Sequence, residues 1–283
     1  MKINPEDKAG LFLMNQKGLS VLRTFLAQHM KDRIAFVSEG RDQAVISEYA
    51  AEIFELASVN GIPVFERNSD HPHSALNVAV GWRWIIRTTQ PLIVIHDSLL
   101  PRYRGFAPLV NMLINGENKL GATLLWASEA YDQGPVIAAE SVTITHPIRI
   151  DAAIESVINC YSKLTEFLCA SLQSGHIPQG TPQNETEATY GLWRDQQDYQ
   201  IDWSKSSDEI LRHIYALGPP YPYAQTLCNN VPIEILDAQT LPDVKIENRT
   251  PGKVIFNHPD GCVVVCGSGL LKLTSMQKDG VGF

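Results

Sequence analysis

The sequence predicts an α/β fold, a Rossmann-like and mostly parallel sheet covered by helices, followed by a smaller C-terminal β-barrel-like domain. Three observations carry this reading. Up to Leu172, short apolar runs alternate with stretches of helical spacing, the pattern of strands joined by crossover helices. From Ile201 onward the runs shorten and are broken by turn signals, as in a small barrel or curled sheet. Over 283 residues, an apolar content of 44% is enough to build two cores. The expected division is an α/β domain over 1–180, a connector over 181–200 and a β-rich domain with an opening helix over 201–283.

In chain order, Ala9 to Met14 (AGLFLM) reads as a buried strand, Asn15-Gln16-Lys17-Gly18 as a turn and Leu19 to Met30 as a helix. Ile34 to Val37 is a second strand. Ala44 to Val59 places Ile46, Ala50, Ile53, Phe54 and Ala57 on one helical side, with Gly61 as a stop. Ile62 to Phe65, Ala75 to Val80 and Pro91 to Ile95 are the next strands. Val110 to Asn115 is expected to be helical, Gly121 to Trp126 a strand and Val136 to Ile144 a strand or hairpin arm. Asp151 to Leu172 is an amphipathic helix closed by Ser174-Gly175, and the polar stretch from Gly180 to Asp198 is expected to be an exposed connector.

Beyond the connector, Ser204 or Ser206 can cap a helix containing Ile210, Leu211, Ile214 and Leu217, which Gly218-Pro219-Pro220 ends. Ile233 to Leu236, Lys253 to Phe256, Cys262 to Cys266 and Leu270 to Leu273 are short strands, with Pro259-Asp260-Gly261 as one turn. No repeat, GxGxxG or P-loop is present.

Composition narrows the function classes. The five cysteines are odd in number and scattered, and nothing beside Cys262 and Cys266 completes a zinc site, so ordinary reduced thiols and no metal are expected. A formal charge of −8 disfavours a general binder of phosphate backbones, which needs clustered Lys and Arg. A local pocket can still be positive on an acidic protein. No apolar run reaches the roughly 18 residues of a membrane span. The opening MKINPEDKAG has acid and proline where a secretory leader has its apolar region. A cytoplasmic protein without a membrane partner is the expectation.

The stretch His96 to Gly105, HDSLLPRYRG, carries the strongest chemical signal. It follows the apolar run Leu92 to Ile95, which places His96 at the carboxyl end of a parallel strand, the edge where ligands collect in open α/β sheets. Pro101, Gly105 and Pro108 fix the loop bearing Arg102, Tyr103 and Arg104. The second element is Glu129 to Pro135, EAYDQGP, where Asp132 sits in a turn after the apolar Ala122 to Trp126. Each has a structural alternative, a satisfied strand-end histidine and an Asx turn. Loops at the ends of neighbouring strands can nevertheless bring the two together, and a histidine beside a carboxylate relays protons near neutral pH.

These residues resemble the 10-formyltetrahydrofolate-dependent formyltransferase family, whose signature looks like N-x-H-x-S-L-L-P-x-x-R-G followed by the aspartate of D-x-G. His96-Asp97-Ser98-Leu99-Leu100-Pro101-Arg102-Tyr103-Arg104-Gly105 and Asp132-Gln133-Gly134 match it at the family's separation. Gly81-Trp82-Arg83-Trp84-Ile85-Ile86 resembles the folate-side loop, and Asn15-Gln16-Lys17-Gly18 occupies the place of the first substrate-side loop. Ile201-Asp202-Trp203, Ile214 to Pro222 and Pro251-Gly252-Lys253-Val254 look like the C-terminal open β-barrel of the methionyl-tRNA and amino-arabinose enzymes. One position departs: the family's catalytic asparagine, two before the histidine, is Val94 here.

The resemblance implies acyl transfer to an amine, with N10-formyltetrahydrofolate as co-substrate and His96 and Asp132 as catalytic residues. Trp82, Arg83, Trp84, Ile85 and Asp132 would contact the folate. Asn15, Lys17, Ser98, Arg102, Tyr103 and Arg104 would contact the acceptor, with Lys17, Arg102 and Arg104 suited to a diphosphate. The expected acceptor is a nucleotide-linked aminosugar of surface-glycan or lipopolysaccharide biosynthesis. Nucleic acid is disfavoured because the C-terminal strands offer only Lys245, Arg249, Lys253 and Lys272 among acids, and the basic insertion of the tRNA enzymes is absent. A methionyl-tRNA formyltransferase, a formyltetrahydrofolate hydrolase and a degenerate ligand-binding homologue are the alternatives. The C-terminal unit could take part in the acceptor site, hold a homodimer or stabilise the catalytic domain.

Overall fold

The computed structural model describes residues 1–41 and 49–282. The chain packs as two compact units. One comprises Met1–Pro108, Lys119–Thr143 and Ile154–Gly191, the other Leu109–Asn118, Ile144–Ala153 and Leu192–Phe283.

In chain order, the elements up to the end of the first unit are β1 (Ala9–Leu13), α1 (Asn15–Ala27), β2 (Ile34–Glu39), α2 (Ala50–Val59), β3 (Val64–Glu66), β4 (Leu76–Val80), β5 (Leu92–His96), β6 (Arg104–Gly105), α3 (Pro108–Ile114), β7 (Lys119–Trp126), β8 (Val136–Thr143), α4 (Ile150–Gln173) and β9 (Tyr190–Gly191). Seven strands make one sheet in the order β3-β2-β1-β4-β5-β7-β8. The first five run parallel, and β7 and β8 extend them antiparallel. Every residue of β1 and β4 is buried, which is why both are almost continuously apolar.

Two polar or small residues inside these strands have packing reasons. Asn77 is buried in β4, where its Oδ1 accepts from Ser74 and its Nδ2 donates to Thr88 at 3.0 Å. Gly10 in β1 leaves room for both neighbours, since a Cβ there would lie 2.3 Å from Phe36 Cζ and 2.5 Å from Asn77 Oδ1.

Asn15 to Gly18, expected as a turn, is instead the first turn of α1. Asn15 takes φ +55°, and its Oδ1 accepts from the Lys17 amide at 3.0 Å, satisfying one of the free N–H groups of the helix start. Gly18 lets that turn lie against Leu13, 3.0 Å from where its Cβ would be. The expected helix from Ala44 is present from Ala50; its Ala44 to Ser47 part, with Ile46, falls on positions 42–48, outside the described residues.

The second unit contains α5 (Ser207–Tyr215), β10 (Ala224–Cys228), β11 (Val231–Leu241), β12 (Val254–His258), β13 (Gly261–Val265), β14 (Leu270–Lys278) and β15 (Val281–Gly282). Antiparallel pairing gives the order β10-β11-β14-β13-β12, with β15 on β14. Register shifts at Ile235/Asp237 and Asp237/Ala238 bend β11 against β14, the local cause of a curled sheet. Val263, Val265 and Leu270 pack with Leu241, Ile246 and Ile255 inside it. Ser206 caps α5 reciprocally with Glu209, and Ile210, Leu211 and Ile214 form its buried face. β10 went unread in the sequence because AQTLC is a short edge strand whose last two residues are exposed. Among the described residues, no helix is long and apolar enough to cross a membrane.

His213, on α5, carries a pH consequence. Its Nε2 is sealed from water without a hydrogen-bond partner, and so is Nε of Arg194. Burial above all, and then the nearby Arg194 charge, push the imidazole pKa down to about 4. The unfolded chain binds this proton near the ordinary histidine value, so between about 6.5 and 4 the unfolded state holds more protons and stability falls as pH falls. We expect a loss of up to about 3 kcal/mol across that window from this residue. Denaturant melts of wild type and His213→Phe at pH 7 and 4.5 check this, with the variant showing the flatter dependence. Gly10→Ala is expected to cost about 1–3 kcal/mol by overpacking, and a melt within error of wild type would contradict the crowding described above.

Candidate active site

β1, β4 and β5 end at one edge of the sheet, at Leu13, Val80 and His96. The strand order reverses between β1 and β4, so a crevice is expected outside their carboxyl ends. The loops after these two strands touch. Gly81 takes φ +62°, and Asn15 Nδ2 stands 2.4 Å from where a Cβ on Gly81 would be.

At the end of β5, His96 pairs in register with Thr123 of β7 and is buried. Its Nε2 lies 2.8 Å from the carbonyl oxygen of Tyr103. A carbonyl only accepts, so this nitrogen carries a proton. Nδ1 faces Asp132 Oδ2 at 3.4 Å. Asp132 sits in the turn after β7 at φ +56°, and Oδ2 also accepts from the Gly105 amide at 2.9 Å. Among the described residues, nothing donates to Oδ1. The structure therefore brings together the two residues that the strand ends predicted, with one carboxylate oxygen left for an incoming N–H.

The loop from Ser98 to Gly105 is held by its own polar groups. Ser98 is fully buried and donates to the Arg102 carbonyl at 2.6 Å. Thr123 Oγ1 donates to the Ser98 carbonyl and accepts from the Leu100 amide. Tyr103 is buried at φ +60° with its amide on Thr189 Oγ1. Arg102 stays exposed, its guanidinium 5.1 Å from the Tyr103 ring centroid.

Three residues expected at the acceptor have their polar groups paired within the protein. Ser98 has its hydroxyl turned into the loop. Lys17 is buried, and its ammonium pairs with Asp97, whose other oxygen accepts from Tyr161 at 2.7 Å. Arg104 is fully buried and turned towards 183–190, where Nε and one terminal nitrogen donate to Gln183 Oε1 at 3.1 and 2.9 Å. The guanidinium is also bidentate to Glu185 at 2.8 Å and reaches the Tyr190 hydroxyl at 3.3 Å. The Glu185 hydrogen bonds raise the Arg104 pKa, and the same bonds lower that of Glu185. Isolated positive residues in a loop read as solvent- or ligand-facing; their acidic partners lie about 80 residues away in sequence.

On the face of the sheet that carries Phe12, Phe36 and Ala79, partly buried Trp82, Ile86, Leu92 and Val94 pack together. Trp82 meets Phe12 and Trp84 edge-on, with centroids 5.2 and 5.5 Å apart, and Arg67 lies 4.2 Å from the Trp84 ring centroid. Arg83 is half-buried, and Ile85 is 74% exposed. Val94 precedes His96 by two on β5, so both side chains leave the same face.

The site has a wall that sequence reading missed. The stretch expected as an exposed connector is largely exposed, and over 181–191 it is also fastened to the His96 loop, with β9 pairing parallel to β6. Amides of Arg104 and Phe106 donate to the carbonyls of Thr189 and Gly191. Gln183 Nε2 donates to the carbonyls of Asp132 at 2.7 Å and Gly134 at 2.8 Å. The segment is polar because it is joined by hydrogen bonds rather than apolar contact, so hydropathy carried no signal for it.

Comparison with known proteins agrees with this geometry. Residues 75–158 match the formyl transferase family, and residues 194–281 match the formyl transferase C-terminal domain. Methionyl-tRNA formyltransferase from Ralstonia nicotianae is 33% identical over 189 residues, which cover 66% of this chain and 57% of the relative's length, less than two thirds of it. The N-formyltransferase from Helicobacter canadensis shares the fold with a TM-score of 0.72 at 16% identity, over 95% of this chain and 99% of that one. HypX from Aquifex aeolicus shares it with a TM-score of 0.65 at 18% identity, over 98% of this chain and 46% of that one. With both domains matched along one polypeptide, the chain belongs to the formyltransferase family.

Proposed function

We propose that this protein transfers the formyl group of N10-formyltetrahydrofolate to the amine of a nucleotide-linked aminosugar. The carrying observation is the His96–Asp132 pair, with Nδ1 and Oδ2 at 3.4 Å and the second carboxylate oxygen unoccupied by the described residues. With its Nε2 proton committed to the Tyr103 carbonyl, a neutral His96 turns the Nδ1 lone pair towards the carboxylate. The pair is thus arranged to take up one proton. That is what acyl transfer to an amine requires.

In this mechanism the neutral amine nitrogen attacks the formyl carbon, and the carbonyl π electrons move to oxygen. The proton released from the new ammonium passes to the Asp132–His96 pair. The oxygen electrons then re-form the carbonyl as the bond to N10 breaks, and N10 leaves with the proton that the pair returns. A side-chain donor to the transient oxyanion is missing at Val94, which packs with Ala79 and Phe12. Loss of one such donor typically costs about 2.7–4 kcal/mol of transition-state stabilisation. Main-chain groups of Trp82 to Ile86, on the loop after β4, are the reading's contacts to the folate.

The choice of acceptor rests on charge and on the solved relatives. Acidic residues outnumber Lys and Arg over 192–283, which gives no broad positive surface for transfer RNA. The Helicobacter canadensis enzyme was crystallised with folinic acid and dTDP-3-aminofucose, and HypX with tetrahydrofolic acid. The name of the Ralstonia nicotianae relative favours a second reading, methionyl-tRNA as acceptor. Product analysis separates them. Wild type given N10-formyltetrahydrofolate should yield a formyl-amide with a member of a nucleotide-aminosugar panel and none on methionyl-tRNA; the opposite outcome would reverse the assignment, and no product with either would remove the enzyme reading.

Two substitutions probe the chemistry. His96→Asn should lower kcat about 10²-fold or more while leaving the melting temperature within a few degrees, because a strand-end imidazole adds little core volume. Unchanged turnover in that variant would end its catalytic role. Val94→Asn should raise kcat, by up to about 10²-fold if the new amide reaches the oxyanion, at a stability cost of about 1–3 kcal/mol for placing an amide among apolar neighbours. Rates equal to wild type would mean that the oxyanion is held away from β5.

A further inference from the structure

We propose that Gln183 is a positioning residue for the reaction, holding the Asp132 turn in the conformation that presents its carboxylate to His96. The inference rests on the His96–Asp132 reading above. Asp132 is a non-glycine residue at φ +56°, a conformation that needs support from its surroundings. Gln183 supplies that support from outside the turn. Its Nε2 donates to the carbonyls of both Asp132 and Gly134, at 2.7 and 2.8 Å, spanning the D-x-G turn. Gly134 lies so close against β7 that a Cβ there would stand 1.7 Å from the Trp126 carbonyl oxygen, so no side chain fits in the turn.

The orientation of Gln183 is itself determined. Its Oε1 accepts twice from Arg104, so the opposite amide rotamer would set donors against donors. Arg104 is in turn fixed by the bidentate contact with Glu185. The chain of contacts then closes on the pair it serves. Tyr103, before Arg104, takes the His96 Nε2 proton on its carbonyl, and Gly105, after it, donates its amide to Asp132 Oδ2. His96 and Asp132 are therefore both referenced to one tripeptide, directly through its backbone and indirectly through the Arg104–Gln183 link. Gln183 touches neither the reacting atoms nor either catalytic side chain, so it acts only through the geometry of Asp132.

The test compares Gln183→Leu, which removes donors and acceptor, with Gln183→Glu, which keeps the size and the Arg104 acceptor but cannot donate to the two carbonyls once ionised. The second variant guards against simple failure to fold. Both should lower kcat about 10²-fold, the scale of a misplacement of about 1 Å, and leave KM for donor and amine within about twofold. In an Asp132→Asn background, Gln183→Leu should change kcat no further, because the residue it positions is already lost. Nitrogen NMR of the His96 ring, which needs no substrate, should show a shifted Nδ1 resonance in both Gln183 variants. A wild-type kcat in Gln183→Glu, a full additional loss in the Asp132→Asn background, or an unmoved Nδ1 resonance would each overturn the proposal. Absence of any formyl product from wild type would instead count against the formyl-transfer reading, while the ring resonance still reports on positioning.

Discussion

The buried guanidinium of Arg104 is the contact from which the rest of the site takes its geometry. Removing a guanidinium from water costs several kcal/mol unless its donors are satisfied, and here Gln183, Glu185 and Tyr190 meet all five. The bidentate geometry with Glu185 adds direction as well as attraction. Because the partners lie on 183–190 and Arg104 lies on the loop after β5, the charge binds two segments that share little apolar surface. Gly105 makes the approach possible. At φ +92° it leaves 2.8 Å between its missing Cβ and the Gly191 carbonyl oxygen, so β6 and β9 can run side by side.

The sheet contributes differently, by fixing where strands stop. Parallel strands buried on both faces set His96 and the loops after β1 and β4 at one edge, within a rigid frame of Leu11, Val78, Ile93 and Ile95. Polar groups near that edge are then joined to one another: Lys17 to Asp97, Asp97 to Tyr161, and Asn15 to the start of its own helix. These contacts explain how a site with so many charged and amide side chains leaves so little of its polarity uncommitted. Asp132 Oδ1 accepts from none of the described residues, and Trp82 to Ile85 keep a partly exposed surface.

Much of this was legible in the sequence, and the boundary between legible and illegible follows the physics. Apolar runs identified β1, β4, β5 and β7 because strands buried in the middle of a sheet leave a local, continuous signature. Ser204 or Ser206 is expected to cap α5, and Ser206 does so, reciprocally with Glu209. The juxtaposition of His96 with Asp132 could be anticipated from strand ends alone. The partners of Lys17, Ser98 and Arg104 could not, because a hydrogen bond or ion pair across 80 residues leaves no mark on local periodicity. Nor could the docking of 181–191, whose polarity imitates that of a solvated linker, or β10, a short edge strand with an exposed end.

The departure at Val94 becomes intelligible once these two kinds of support are separated. Val94 belongs to β5, where it pairs with Ala79 and Leu125 and joins the apolar cluster around Phe12. His96 shares that strand, yet the orientation of its ring is set by the Tyr103 carbonyl, and Asp132 is set by Gly105 and Gln183. None of these contacts passes through residue 94. In the proposed mechanism, an isopropyl group in place of an amide at that position changes what meets the formyl oxygen without loosening the groups assigned to the proton. The oxyanion contact and the proton relay of the proposed mechanism thus rest on separate supports within one site. A chain can alter the first while the geometry of the second stays intact.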